Sequence, residues 1–321
     1  TGMSAVVFGG SGFIGTRLVH DLSERQMPTL SVDIAPERRR VANASYAVGD
    51  VRAPLDPALG AGAAVIYNLA AVHRTPGHRP QEYYDTNVQG ALNVTALAEA
   101  CDIRTIVFTS SISVYGPSED IIDETSPLRP VSDYGRSKAM AETIHRQWLQ
   151  RSADRRLIVV RPGVVFGPGE DGNYTQLAKA LRRRLFAYPG RKSTIKSGGY
   201  VGELVSAIRF AVEKRAREAT LNFAYPHPST TEDIVQTFAE VAGFHDRYPV
   251  IPIPLMLAAA TPFELLNALG VKNRIHRDRI WKLVQSTRIA PAWLQRNGYR
   301  FDTDLRSALG HWRDETAGAF E

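Results

Sequence analysis

From Met3 to about Arg161 the chain alternates short, continuously apolar runs with longer segments of helical period. The apolar runs are MSAVVF (3–8), TLSVD (29–33), AAVIYNLA (63–70), TIVFTS (105–110) and LIVVRP (157–162), and the helical segments between them are Phe13–Glu24, Tyr83–Ala100 and Tyr134–Gln150. Strands apolar on both faces need cover on both, and this alternation supplies it. The pattern therefore predicts an α/β fold on a doubly wound parallel sheet. After Arg161 the rhythm loosens: helical stretches at Gln176–Leu185 and Gly202–Lys214 are interrupted by Gly and Pro, which predicts a smaller, interleaved C-terminal lobe. Leu221–Phe223 and the helical Thr231–Ala242 are expected to return to the main sheet. The expected division is a first domain over 3–170, with 202–242 partly returning to it, and a second lobe made of 171–201 and 243–321.

Composition narrows the classes. With 44% hydrophobic and 22% charged residues the chain is neither disordered nor fibrous. Its 39 Lys+Arg against 33 Asp+Glu give a net charge of +6, but no nucleic-acid-binding signature accompanies it, so no nucleic acid is expected and phosphate-bearing small molecules fit better. Arg38–Arg40 and Arg182–Arg184 read as solvated faces. The single cysteine, Cys101, cannot form an internal disulfide, which favours a reducing cytoplasm; it reads as a buried helix residue. No metal site is expected. No apolar run reaches 18 residues, so no integral membrane segment is expected, and the chain opens onto a strand rather than a signal peptide, with Thr1 and Gly2 outside the fold. The greasiest stretch, Ile251–Leu269, carries Pro252, Pro254, Pro262 and Glu264. It could shelter under the second lobe or touch a membrane surface.

The first apolar run leads into Gly9-Gly10-Ser11-Gly12-Phe13-Ile14-Gly15. A strand turning at once into a helix needs glycine for the turn, for close approach to a pyrophosphate and for helix–strand contact, while the helix start offers free N–H groups to phosphate. The loop predicts a Rossmann-type dinucleotide site. Asp33, 18 residues after Gly15, is placed to accept from both adenosine-ribose hydroxyls and to repel a 2′-phosphate, which predicts NAD over NADP, although Arg38–Arg40 stand close in sequence.

Tyr134 and Lys138 open a run of helix formers in which positions i and i+4 face the same way. A second Tyr-x-x-x-Lys, Tyr188 to Lys192, contains Pro189 and Gly190 and cannot share a helix face. A phenol of pKa near ~10 is a poor base at neutral pH, and a neighbouring ammonium together with an oxidised nicotinamide favours its phenolate. Tyr134 could then take a hydroxyl proton while hydride leaves the same carbon, with Lys138 also holding the nicotinamide ribose. Ser111, after the Thr105–Thr109 run, could orient the reacting oxygen or could be a strand-end serine bonded to backbone.

Together these pieces resemble the extended short-chain dehydrogenase/reductase family, in its nucleotide-sugar epimerase/dehydratase branch. The resemblance rests on GGSGFIG, Gly49-Asp50-Val51, Asn68-Leu-Ala-Ala71, Asn87-Val-x-Gly90, Phe108-Thr-Ser-Ser-Ile-Ser-Val-Tyr-Gly116, Tyr134-Gly-x-Ser-Lys138 and Arg161-Pro-x-x-Val-Phe-Gly-Pro168, in that order over roughly the first 170 residues. It implies that Ser111, Tyr134 and Lys138 are catalytic. It also implies that Gly9, Ser11, Gly12, Phe13, Ile14, Gly15, Asp33, Asp50, Val51, Leu69, Ala70 and Ala71 line NAD, along with Tyr134 and Lys138, and that Asn87 is a structural or cofactor-side residue. Asn173 falls where such enzymes contact the sugar nucleotide. Lys196 stands in place of a diphosphate-binding arginine, which keeps the charge but loses the bidentate fork. A further diphosphate contact is expected from one of Arg274, Arg277 and Arg279. The family also implies a homodimer formed through a four-helix contact of 83–100 and 134–150.

Ser111 is followed by Ile112 and Ser113 rather than the acidic pair a dehydratase of this branch carries, which argues against dehydration. Two enzyme readings stay open: a 4-epimerase acting on a nucleotide-diphosphate hexose through a transient 4-keto sugar with NAD retained, and an NAD(P)H-dependent 4-keto-sugar reductase or dehydrogenase. A non-catalytic relative of the same fold would be expected to show a damaged triad, and Ser111, Tyr134 and Lys138 are intact.

Overall fold

The computed structural model describes residues 4–74, 77–273 and 275–321. In chain order its elements are β1 (Ala5–Phe8), α1 (Phe13–Glu24), β2 (Thr29–Asp33), β3 (Ala44–Val48), β4 (Val65–Asn68), α2 (Pro80–Tyr84), α3 (Gly90–Ala100), β5 (Thr105–Thr109), β6 (Ser118–Ile122), α4 (Asp133–Gln150), β7 (Arg156–Pro162) and β8 (Val164–Phe166). There follow α5 (Asn173–Arg182), β9 (Tyr188–Pro189), β10 (Gly198–Tyr200), α6 (Val201–Glu213), β11 (Glu218–Phe223), α7 (Thr231–Ala242), β12 (Val250–Ile251), α8 (Ile253–Ala268), α9 (Arg277–Val284), β13 (Thr287–Ile289), α10 (Ala292–Arg296) and α11 (Leu305–Glu315).

Seven strands form one parallel sheet in the order β11-β7-β5-β4-β1-β2-β3, the doubly wound arrangement that the alternating pattern predicts. Successive residues of a strand face opposite sides, and the burial follows that period. Ala5 and Val7 of β1 belong to a core with Leu18 and Leu22 of α1 and Leu204 and Ile208 of α6, whereas Val6 and Phe8 belong to one with Val94 and Leu97 of α3 and Trp148 of α4. A third core, with Tyr174, Phe238, Trp312 and Phe320, holds α5, α7 and α11 together. Three two-stranded parallel pairs, β8–β10, β9–β12 and β6–β13, knit the later chain to the ends of the sheet.

Some details depart from the sequence reading. β3 is a half-exposed edge strand, ASYAV, whose weak alternation does not stand out from a loop. Tyr83–Ala100 is helical throughout and the helix begins earlier, at Pro80, but Asp85–Gln89 within it forms a wider turn of π type that separates α2 from α3. Cys101 sits just beyond α3 rather than within it, half-buried, with its S–H donating to Pro57 O at 3.3 Å. Pro262 lies inside α8 without ending it, and that helix is not sheltered: Ala260 is its one buried residue.

Under the strand ends runs a buried polar chain. Arg161 of β7 makes a two-pronged contact with Glu142 of α4, at 2.8 and 2.7 Å, and donates to Tyr115 Oη at 2.7 Å; Tyr115 donates to Asn222 Oδ1 of β11 at 2.6 Å, and Asn222 donates to Ala290 O at 3.2 Å. Burial pushes the Glu142 carboxyl up, but the Arg161 guanidinium outweighs it and holds it below the usual carboxylate range. Its contribution to stability is therefore complete above the ordinary glutamate pKa of ~4.3 and is lost as pH falls below that value through the lower folded pKa. Arg161→Met should cost about 3–5 kcal/mol in urea denaturation at pH 7, because it leaves the buried Glu142 carboxylate with only the partly exposed Arg146, at 3.1 Å, as a charged partner, and adding Glu142→Met should recover most of the loss. A single-variant loss below about 1 kcal/mol would contradict the network's role.

Candidate active site

The site lies where strand order reverses, at the C-terminal ends of β1 and β4, the usual ligand crevice of such sheets. After Phe8 the chain turns sharply at Gly9, whose φ is +78°; a Cβ there would stand 2.7 Å from Ala70 N. A Cβ on Gly15 would stand 2.1 Å from Gly9 O, so α1 can approach the loop only with glycine at that position. Gly12 begins α1 with no side-chain cap and no acid in the first turn, which leaves the helix start open to an anion. Phe13 and Ile14 turn their side chains into the third core, so their contribution to a phosphate can come only from backbone. Asp33, at the end of β2, accepts from Ser11 N and Ala35 N, both at 3.0 Å, and this fixes its carboxylate over the glycine loop. These residues form a cradle for a dinucleotide, with free N–H groups at one end and a fixed carboxylate at the other.

Around it, Asp50 grips Arg52 at 2.6 Å, and that hydrogen bond holds its carboxyl below the usual range. Val51 is buried against Gly90, with its carbonyl taken by Asn93 Nδ2 at 2.7 Å. Leu69, Ala70 and Ala71 continue β4 past the loop, Leu69 N donating to Phe8 O. Asn87 acts as a clamp: its amide holds Val72 N and O and donates to Ser137 Oγ of α4 at 2.9 Å.

α4 is capped by Ser132, whose hydroxyl accepts from Gly135 N, and Tyr134, Lys138, Glu142 and His145 fall on its inner face. Burial pushes the Tyr134 phenol up to about 12, against the opposing pull of the Ser111 hydroxyl. Ser111 begins a short 3₁₀ turn, accepting from Ser113 N at 3.1 Å and lying 2.9 Å from Ser113 Oγ, which is the backbone-bonded serine of the two readings, with its hydroxyl also close enough to act on the Tyr134 phenol. Lys138 donates to Thr109 O at 2.9 Å and stands 5.0 Å above the Phe108 ring. Burial lowers its pKa to about 7, with Glu142 opposing. Beneath it His145 stacks on Phe108 at 4.1 Å, donates from Nδ1 to Ala141 O at 2.7 Å and faces Asn68 Nδ2 with Nε2; burial lowers it to about 4, so it is the neutral tautomer. Asn68 Oδ1 and Thr109 Oγ1, at the ends of β4 and β5, are buried and make no hydrogen bond among the described residues.

The substrate-side expectations fare differently. Asn173 is exposed at the first turn of α5, where the Glu170 carboxylate takes Tyr174 N and Thr175 N. Lys196 spends two donors on Lys282 O and Gln285 O, at 2.8 and 2.7 Å, and so pins the end of α9; burial brings its pKa down to about 8. Arg277 pairs with Glu264 at 3.3 Å, binding α9 to α8. Arg279 lies beside Lys282, whose pKa it lowers after burial, and Arg274 lies outside the described residues. Arg38 is drawn to Gly169 O at 2.8 Å, away from the Asp33 carboxylate.

The sequence profile of the NAD dependent epimerase/dehydratase family matches residues 5–224. The chain belongs to that family. NAD is its cofactor, as the glycine loop and Asp33 predict, and the family's chemistry makes it an enzyme. The N-acetyl-alpha-D-glucosaminyl-diphospho-ditrans,octacis-undecaprenol 4-epimerase of Escherichia coli O157:H7 is 31% identical over 307 residues, covering 92% of this chain and 90% of that one. A decarboxylating sterol-4-alpha-carboxylate 3-dehydrogenase of Candida albicans is 25% identical over 97% of each chain. Among solved structures, a UDP-galactose 4-epimerase is 25% identical and superposes with a TM-score of 0.73 over 98% of this chain and 99% of that one.

Within this family site the structure adds residues the sequence reading omits. His73, five residues past the end of β4, has its pKa pushed down by desolvation and then by the Lys138 charge, so it lies within electrostatic reach of that lysine; its signal was position beyond a strand's C-terminal end. Arg74 bridges to Asp171 at 3.1 Å, joining the cofactor-side segment 69–74 to the loop before α5.

Because Lys138 must lose its charge or bury it, it weakens the cofactor-free fold. Its folded pKa of about 7 lies below the ordinary lysine value, so the cost is full below pH 7 and vanishes as pH rises toward ~10.4. Lys138→Met should raise the stability of the NAD-free protein at pH 7 by roughly 1–4 kcal/mol while removing turnover, and the stability gap should close by pH 10. A variant less stable than the parent at pH 7 would refute this.

Proposed function

We propose that the protein is an NAD-dependent 4-epimerase acting on a nucleotide-diphosphate hexose through a transient 4-keto sugar. The observation that carries this reading is the convergence of Tyr134, Lys138 and Ser111 at the ends of β4 and β5, beside a glycine cradle and a fixed Asp33. The named 4-epimerases among its relatives support it, and so does the absence of an acidic pair at positions 112 and 113.

Bound NAD supplies a hydride acceptor and donor for the sugar's C4. In this assignment Gly9, Ser11, Gly12, Phe13, Ile14 and Gly15 hold the pyrophosphate through backbone, and Asp33 takes the adenosine-ribose hydroxyls. Asp50, Val51, Leu69, Ala70, Ala71 and Asn87 form the walls of the cofactor site. Tyr134, as its phenolate, removes the C4 hydroxyl proton and later returns it; burial, which raises its pKa, makes that phenolate a stronger base but a scarcer one, so a nearby positive charge is needed to form it. Ser111 positions the reacting oxygen and steadies the phenolate. Lys138, half-charged near neutral pH, gains full charge when an anionic phenolate forms near it. The substrate side is assigned to 171–201 and 243–321, with Asn173 as a sugar-nucleotide contact and the remaining donor of Lys196 turned to the diphosphate. A reductase or dehydrogenase using the same three residues is the second reading, favoured by the full-length likeness to a sterol dehydrogenase.

The compartment we assign is the reducing cytoplasm, in keeping with one unpaired cysteine. The assembly we assign is a homodimer through α3 and α4, whose outward faces carry exposed Leu92 and Met140.

Tyr134→Phe should lower kcat by three or more orders of magnitude while leaving NAD bound, and Ser111→Ala should lower it about a hundredfold. Denaturing the purified protein should release close to one NAD per chain. An empty protein that needs NADPH in each turnover would replace the epimerase with the reductase. Leu92→Asp with Met140→Asp should convert the dimer to a monomer in light scattering; an unchanged mass would displace the dimer to another face.

A further inference from the structure

A helix in a soluble lobe normally buries its apolar side chains, whereas α8, apolar nearly all round, buries only Ala260 and leaves several large apolar side chains in solvent. Its polar side chains face the protein: Thr261 meets the Arg277 guanidinium, Glu264 accepts from Arg277 N at 3.0 Å and pairs with its guanidinium, and Asn267 exchanges hydrogen bonds with Asn273. Many of its apolar side chains face solvent. Leu255, Leu265 and Leu269 are 62%, 62% and 80% exposed, and the stripe runs on through Val271 (55%) to Trp281 (48%) and Leu283 (46%) on and before α9. Positions 255, 258, 262, 265 and 269, all exposed, share one face at helical spacing.

The charge around this stripe is not neutral. Residues 251–290 hold Lys272, Arg274, Arg277, Arg279, Lys282 and Arg288 against Glu264 and Asp278. That is +4 of the whole chain's net +6, gathered in one eighth of its length. An apolar stripe with a tryptophan at its edge and a basic border is complementary to the surface of an anionic lipid bilayer, where apolar side chains enter the acyl boundary and cations meet the headgroups. At 16 residues α8 is too short to cross a bilayer, and among the described residues no helix is long and apolar enough to do so. It can lie in the interface.

We propose that the α8–α9 hairpin is a docking face for an anionic membrane surface. The hairpin is fastened to the substrate side of the protein by Lys196 on the carbonyls of Lys282 and Gln285, and by the β9–β12 pair at its start. Docking therefore brings that side against the bilayer, where a sugar diphosphate carried on a lipid would be presented. This last point rests on the epimerase reading, whereas the docking itself does not.

The test is flotation of the intact protein with vesicles of phosphatidylcholine alone or with 30% phosphatidylglycerol, a composition chosen to give an anionic surface of roughly tens of millivolts. The protein should float with the anionic vesicles and be released by about 0.5 M salt, which screens the headgroups. Leu265→Glu with Leu269→Glu should lower partitioning at least tenfold, and Lys272→Glu should lower it severalfold, with the melting temperature unchanged. No flotation, equal flotation on uncharged vesicles, or a fall in oligomeric mass caused by the leucine variants would overturn the proposal, the last by showing that a second copy covers this face. Flotation is independent of turnover, so failure of the epimerase assay leaves this result standing.

Discussion

The site depends on how α4 is held over the ends of β5 and β7, where a buried ion pair acts together with the packing of Ala141, Trp148 and Leu149. Arg161 reaches up from β7 with both prongs on Glu142, one turn of helix beyond Lys138 and two beyond Tyr134. Two charges taken out of water cost several kcal/mol each unless their geometry is good and their remaining hydrogen-bonding positions are filled. Here Tyr115 and Asn222 fill them, which ties the pair to β11 and to the backbone at Ala290. The same contact that makes the interior tolerable sets the height and rotation of the helix carrying the candidate chemistry.

From that constraint the ionisation pattern follows. The inner face of α4 is polar along its length yet packed against strands, so burial moves Tyr134 up and Lys138 and His145 down. All three shifts favour the uncharged form. Glu142 escapes the trend because Arg161 faces it directly. A row of groups with no fixed counter-charge next to one fixed ion pair suits proton transfer: the tyrosine and lysine can each change charge without first breaking a salt bridge. His145 has another part, filling the space below Lys138 and turning Asn68 toward the strand ends.

The cofactor side and the substrate side are held by different means. The glycine loop is shaped by steric necessity, since a Cβ at Gly9 or Gly15 would collide with backbone that has no room to move. The far side is assembled from long-range contacts between short elements: Lys196 on α9, Arg277 on α8, Arg74 on Asp171 and Arg38 on Gly169. Such polar ties between loops and short helices exchange readily with water, so this is the part of the molecule best suited to adapt around a ligand or a surface.

What could be known from the chain alone was local. Strand–helix alternation predicts the parallel sheet because both faces of each strand must be covered, and the spacing of Gly9, Gly12, Gly15, Tyr134 and Lys138 carries its meaning within a single turn or helix face. The half-exposed edge strand β3, the π-type turn at Asp85–Gln89 and the short pairs β6–β13 and β9–β12 have no comparable periodicity, because partners far along the chain decide whether they form. The same holds for side-chain roles. Whether Lys196 meets a diphosphate or a helix end, and whether Arg38 stands by Asp33 or by Gly169, depends on contacts spanning tens of residues. Apolar composition marked Ile251–Leu269 as unusual, but only the packed structure could decide which side of α8 faces the protein, because its direction is set by hydrogen bonds to Asn273 and Arg277 rather than by its own hydrophobicity.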